Sequence, residues 1–408
     1  METGALDGER LVTVHRQYSA RCFLPVHPLT LIFLFAKIGM FQSNCYEGTE
    51  QLCFKSQILS QRNPYMMEKK QFQIFLSALG VLFLVFAAVL TLRPRQTEPI
   101  TRSDFLLNTF VTVTLYDSDD EEILEQCMAL CREYENRLSK TITASEVYRL
   151  NHRAPGEDTF TLTKDTAALI REGLQYSRIS DGAFDITIEP LSSLWNFTDG
   201  KNIIPPAEEI QAAAERVDWK NISLEGDVLT FHSADTTIDL GSIAKGFIAD
   251  RLKEYLISRN VKSAIINLGG NVLCVGEKPD GEPFKIGLQK PFEGRNEIIA
   301  NLSINGLSVV SSGVYERHFI VDGKNYHHLL NPSTGYPYDN GLIAVTIVSP
   351  RSVDGDALST TCFSLGLEKG LELVNSMDGI YAYFITDDYE IHYSDGAELL
   401  VLPLPDAG

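Results

Sequence analysis

After residue 100 the chain strings strand patterns together with only a few amphipathic helices between them, in no regular alternation, and that order limits the folds open to it. Helical spacing predicts helices over 120–139, 164–179, 207–216, 243–259 and 356–375. Strands are predicted over 110–116, 228–232, 264–268, 284–288, 298–304, 343–348 and 381–385. A doubly wound parallel sheet needs a helix between successive parallel strands, whereas several strands here follow one another directly. The expectation is α+β, with mixed sheets and packed helices. Gly269-Gly270 follows a strand but opens no helix and lacks the Gly-x-Gly-x-x-Gly spacing, so it is not a dinucleotide fingerprint. No internal repeat or low-complexity segment interrupts the pattern.

Three segments carry candidate chemistry. In 354–366, Asp356 and Thr360 stand four apart at the expected start of a helix, on one face. A carboxylate and a hydroxyl are hard oxygen ligands suited to Mg²⁺, which fills its other positions with substrate phosphate and water. The helix N-terminus would add free N–H groups and a positive dipole end for a phosphate. Taken alone, Asp356 reads as a helix cap, a commoner role than metal ligand. The second segment, Ile238-Asp239-Leu240-Gly241-Ser242-Ile243-Ala244-Lys245-Gly246, runs from a strand through small residues into a helix beside a lysine, which suits a phosphate. It is not a P-loop, because the Gly-x4-Gly-Lys-Ser/Thr spacing is missing. The third, His327-His328 followed by Asn331-Pro332-Ser333-Thr334-Gly335, is a loop holding two of the chain's eight histidines, a place for a base near neutral pH.

These segments stand in order with Leu107-Asn108-Thr109, Asp181-Gly182-Ala183-Phe184-Asp185, Leu194-Trp195, Asn267-Leu268-Gly269-Gly270-Asn271 and Ser312-Gly313-Val314-Tyr315-Glu316. Together, over about residues 100–395, they resemble the ApbE-like family, the FAD:protein FMN transferases. The resemblance implies an ApbE-like fold and a flavin site in which Asp239 and Lys245 contact FAD. Leu107, Ala183, Phe184, Asp185 and Leu330 belong to that implied site. Thr141 stands where many members carry an aromatic, and Asn108 where many carry glycine. Asp356 and Thr360 match the family's Mg²⁺ ligands, Ser242 lies at the metal, and His328 matches its candidate base.

The implied activity is Mg²⁺-dependent transfer of FMN from FAD, as substrate, to a Thr or Ser hydroxyl of a partner flavoprotein, with release of AMP. The flavin acceptor would be such a partner as a subunit of a membrane redox complex. Two alternatives stay open: an FAD pyrophosphatase giving FMN and AMP, and a non-catalytic, membrane-tethered flavin-binding protein. The presence of both Asp356 and Thr360 counts against the second.

Residues 74–92 form an uncharged apolar run, just long enough to span a bilayer at about 20 residues per crossing. Glu68-Lys69-Lys70 precedes it, and Arg93, Pro94 and Arg95 follow. The run is long for a signal-peptide core and no small-x-small cleavage site is evident. A signal anchor over 67–95 is therefore expected, with single-pass attachment to the cell membrane and residues 96–408 as the catalytic domain on the extracytoplasmic side. Residues 1–66 read as a doubtful extension ahead of a start at Met66 or Met67. The chain of 408 residues carries a net charge of −19, which argues against nucleic acid as a partner. Of seven cysteines, Cys127 and Cys131 share the apolar face of the 120–139 helix, which points to packing rather than metal or redox work.

Overall fold

A computed structural model describes residues 69–91, 98–294 and 297–403. The chain divides into two units, with the boundary between Thr91 and Leu92. In the first, Lys69–Thr91 is a helix whose side chains at 72–85, nearly all apolar, are exposed. Among the described residues no helix is long and apolar enough to cross a membrane. The expected extension 1–66 lies outside the described residues.

In the second unit, eight strands lie side by side in chain order: Ile100–Leu106, Thr109–Leu115, Ala264–Leu268, Asn271–Val275, Ser308–Gly313, Leu342–Ser349, Tyr381–Thr386 and Ile391–Tyr393. Every neighbouring pair is antiparallel. With smaller antiparallel sheets beside it and helices packed on it, the domain is α+β. Period-2 alternation turns Val111, Val113 and Leu115 inward from the second strand. Helix Glu121–Leu138 meets that face with Ile123, Leu124, Cys127, Met128, Cys131 and Tyr134, a stripe at 3.6 spacing. Cys127 and Cys131 are buried free thiols in this core. Leu342–Ser349 is buried at all positions, as expected of a strand covered on both faces.

Two helices position the site. Ala244–Ser258 and Ser352–Leu365 pack together and against the sheet. They approach so closely at Gly246 that a Cβ there would stand 2.3 Å from the carbonyl oxygen of Ser352. One turn on, Asp250 accepts hydrogen bonds from Ser352 N (2.8 Å) and Val353 N (2.9 Å). The carboxylate of one helix thus caps the N-terminus of the other.

This corrects the expected helix over 356–375. It begins at Ser352, stops at Gly366 (φ +82°), and Leu367–Asn375 is a separate helix. Asp356 therefore lies in the second turn and does not cap its own helix, and the two backbone N–H groups held by Asp250 are not open to a phosphate. The displaced start follows from chemistry remote in sequence, since Asp250 supplies the cap that 351–352 lacks locally. The strands Ile100–Leu106, Asn271–Val275 and Ser308–Gly313 were not predicted: small and polar residues interrupt the alternation in the first and last, and Asn271–Val275 is short and buried at all but one position, so it has none.

Gly246→Ala should push the two helices apart. An overpacked contact of this kind costs about 1–3 kcal/mol, so the domain should unfold at lower denaturant, and a midpoint equal to the parent's would show that the crossing relaxes freely.

Candidate active site

A cleft of about 1390 Å³ opens beside this helix crossing. It exceeds the usual range for a drug-sized ligand, roughly 300–1,000 Å³. Asp239, Ser242 and Lys245 line it from the turn into helix Ala244–Ser258, and Asp356 and Thr360 from the helix crossing it. His328 and Leu330 reach it from the loop after strand Lys324–His327, and Ala183, Phe184 and Asp185 from the loop after helix Lys164–Ile179. Leu107 and Thr141 complete the set. The chain thus brings all of the sequence-nominated residues to one cavity.

Asp356 is 4% exposed and its carboxylate is divided between two partners. Oδ2 accepts from Gly246 N at 2.8 Å, and Oδ1 faces Lys245 Nζ at 3.3 Å. The close approach at Gly246 therefore sets the Lys245–Asp356 ion pair. Thr360 Oγ1 lies 3.2 Å from Ser312 Oγ, which also bonds Ser359 Oγ at 2.8 Å. Among the described residues no group of three or more His, Cys, Asp or Glu gathers as a metal cluster. One carboxylate with neighbouring hydroxyls is a poor zinc site but fits Mg²⁺, which needs only one or two protein groups.

Across the cleft, Lys140 Nζ stands 2.9 Å from Asp239 Oδ2 and 2.6 Å from Ser192 Oγ. Ser192 also donates to Asp239 Oδ2 (2.7 Å), and Gly241 N to Oδ1 (2.9 Å). Desolvation acts to raise the Asp239 carboxyl, but the Lys140 ammonium and these hydrogen bonds prevail and hold it below its ordinary value. Sequence reasoning missed Lys140 and Ser192. Nothing local to Lys140 says that a residue 99 positions away is its partner.

Asp185 is committed differently. One oxygen accepts from Thr187 N and Oγ1, both at 2.7 Å, and the other from Trp219 N at 2.9 Å. Burial nonetheless pushes its carboxyl above the ordinary value. With both oxygens engaged, Asp185 shapes the wall of the cleft by fixing its loop.

Two hairpin tips form another wall. Leu106 pairs with Thr109, so Leu107 and Asn108 are a two-residue turn, both left-handed at φ 55° and 56°. Such a conformation costs leucine about 1–2 kcal/mol, and the bond from Leu107 N to Glu135 Oε1 (2.8 Å) helps to hold it. The second tip is Gly269-Gly270, between Leu268 and Asn271. A Cβ on Gly269 would meet Thr109 Oγ1 at 2.0 Å, so glycine lets the tips touch. The glycine pair is a turn, as its lack of a following helix foretold.

Successive residues on a strand face opposite ways, and this separates the two histidines. His327 is 4% exposed, packs edge-on against Phe363 and bonds Tyr338 O through Nε2 at 3.0 Å. His328 lines the cleft, half-buried, with its Nδ1 buried and unpartnered. Desolvation, then the charges of Arg317, His327 and Lys245, push His328 down to about 3. Desolvation likewise takes His327 to about 4. Both imidazoles are neutral near pH 7, and only His328 has access to a reactant.

A family model described as the ApbE family matches residues 107–384. An FAD:protein FMN transferase of Klebsiella pneumoniae (strain 342) is 38% identical over 304 residues, covering 74% of this chain and 94% of its own. One of Treponema pallidum (strain Nichols) is 30% identical over 338 residues, covering 78% and 93%. Among solved structures, the ApbE protein of Thermotoga maritima superposes with a TM-score of 0.69 at 29% identity, over 75% of this chain and all of that one. The flavin transferase ApbE from Vibrio cholerae, at 23% identity, shares the fold with a TM-score of 0.67 over 74% of this chain and 99% of its own.

The buried histidine makes a pH prediction. His327 titrates near 4 folded and about 6.5 unfolded, so the unfolded chain binds the proton first as pH falls. The stability it lends is complete above about 6.5 and is lost toward 4, about 3 kcal/mol at most. His327→Gln keeps a donor for Tyr338 O, so urea unfolding between pH 7 and 4 should lose stability less steeply in the variant; equal slopes would remove His327 from the account.

Proposed function

The chain belongs to the ApbE family, and we propose that it transfers FMN from FAD to a Thr or Ser hydroxyl of a partner protein and releases AMP. The observation that carries this reading is the convergence of Lys245–Asp356, Asp239 and His328 on one cleft. Lys245 and the opening turn of helix Ala244–Ser258 supply positive potential for the pyrophosphate. Asp239, kept ionised and oriented by Lys140, accepts hydrogen bonds from a hydroxyl or N–H of the dinucleotide. Mg²⁺ would be held by Asp356 and Thr360 with Ser242 alongside, where it supplies charge neutralisation and polarisation of phosphate oxygens.

His328, neutral, offers a lone pair to the acceptor's hydroxyl proton. Its basicity is low first because burial disfavours the imidazolium and then because neighbouring cations oppose a further charge; a bound pyrophosphate would offset the cations and raise it. Catalysis by this set comes from positioning and electrostatics, the main sources of rate acceleration in phosphoryl transfer. For the helix Lys69–Thr91 we propose a membrane anchor formed with the apolar run 74–92, which puts the catalytic domain on the extracytoplasmic side. What supports this reading is the sequence, whose uncharged run 74–92 is about as long as one bilayer crossing. Alkaline carbonate extraction of the full chain tests this: an anchored protein stays in the membrane pellet, and recovery in the supernatant refutes the anchor.

Incubation with FAD, Mg²⁺ and a flavin-acceptor domain, read by mass spectrometry, tests the activity. FMN covalently added to the acceptor supports transfer, whereas free FMN and AMP alone favour hydrolysis. Asp356→Asn keeps an acceptor for Gly246 N but removes the charge, so about tenfold or more Mg²⁺ should be needed for half-maximal rate; chelator-insensitive turnover by the parent would defeat the metal reading.

A further inference from the structure

We propose that Arg317 is a catalytic residue of this site, gripping the phosphoryl group that is transferred. The inference rests on the transfer reading and adds a cation which neither the motifs nor the implied ligand set contains. Arg317 lines the cleft and is exposed to it. In the hairpin of His318–Val321 and Lys324–His327, His318 lies opposite His327. The bond from His328 N to Arg317 O (3.1 Å) carries the ladder one step further, so Arg317 and His328 stand opposite each other. Opposed residues of an antiparallel pair share a face, with Cβ atoms about 4.5–5.5 Å apart. Both side chains line the same cleft, as that rule requires.

The two lysines that line the cleft are already committed. Lys140 is paired with Asp239 and Lys245 with Asp356. Among the described residues Arg317 forms no salt bridge, so its guanidinium is free to take an anionic ligand. The charges of both Arg317 and Lys245 are felt at His328. An oxygen that gives its proton to His328 would thus attack a phosphorus within the fields of these two cations. A guanidinium presents paired N–H donors that match two phosphate oxygens at once, which an ammonium does not.

In the step itself the acceptor oxygen forms a bond to the FMN-side phosphorus, and its proton passes to His328. The bond from that phosphorus to the bridging oxygen breaks, and AMP leaves with the electron pair. Arg317 stays protonated throughout and donates to the non-bridging oxygens, on which charge develops. The alternative is a solvated surface arginine, which would leave the rate unchanged.

The test compares Arg317→Ala and Arg317→Lys with the parent on one acceptor domain, with FAD and saturating Mg²⁺. Removing one donor to a developing charge costs about 10²–10³ in kcat. Arg317→Ala should fall about 100-fold in kcat with KM for FAD moving far less, Arg317→Lys should lie between, and added guanidinium should restore part of the lost rate. A purely structural arginine would not be rescued in this way. Rate and KM within about threefold of the parent in both variants would overturn the proposal, as would a loss confined to KM. If the parent releases only free FMN and AMP, transfer has failed as the reading, but the same phosphorus–oxygen bond breaks, and the same comparison on hydrolysis still decides Arg317. A parent inert in both assays overturns both.

Discussion

The site depends on the contact between helices Ala244–Ser258 and Ser352–Leu365 at Gly246. Only a residue without Cβ lets the Ser352 carbonyl come this near. From that approach follow the bond from Gly246 N to Asp356 Oδ2, the Lys245–Asp356 pair, and the Asp250 carboxylate on the first N–H groups of the second helix. One crossing therefore caps a helix and sets a buried acid beside a lysine. The Gly246 N–H and the Lys245 ammonium each engage one oxygen of that acid and fix its orientation toward the cleft.

Charge in the cleft is arranged as pairs within a strongly acidic chain. With a net charge of −19, long-range fields do nothing to attract an anionic substrate. Lys140–Asp239 and Lys245–Asp356 instead place cations in contact with the cavity while balancing acids keep the site close to neutral. A pyrophosphate entering such a site meets local positive ends at short range, where reduced solvent screening makes them count. Arg317 is the member of this set without a balancing acid among the described residues, and it lies across the ladder from His328.

What the sequence made legible, and what it did not, follows the range of the interactions. Helix Lys164–Ile179 and strands Ala264–Leu268 and Ile298–Ile304 match their predicted bounds, because periodicity and turn residues are local signals. The motif residues were recoverable because strand-to-turn junctions carry small residues and prolines in recognisable order. The start of Ser352–Leu365 was not, since its cap arrives from Asp250, and nor was Lys140, whose partner lies far along the chain. Strands such as Ser308–Gly313, rich in serine, are specified by their neighbours in the sheet rather than by their own composition.

The adjacent histidines show the same division at single-residue scale. By residue type and local pattern they are equivalent, and only the family resemblance singles out His328. Register removes the equivalence: His318 opposite His327 turns 327 toward Phe363, and the next residue must face the other way. The same step aligns Arg317 with His328, so the choice of base and the nearby cation are consequences of one hairpin register. A one-residue slip in that hairpin would exchange the two histidines and withdraw the arginine together. The bond from His328 N to Arg317 O, and that from Tyr338 N to Leu329 O at 2.9 Å, tie the loop beyond the last paired strand residue and resist such a slip. Backbone hydrogen bonds at the end of a short ladder thus determine which imidazole meets the substrate.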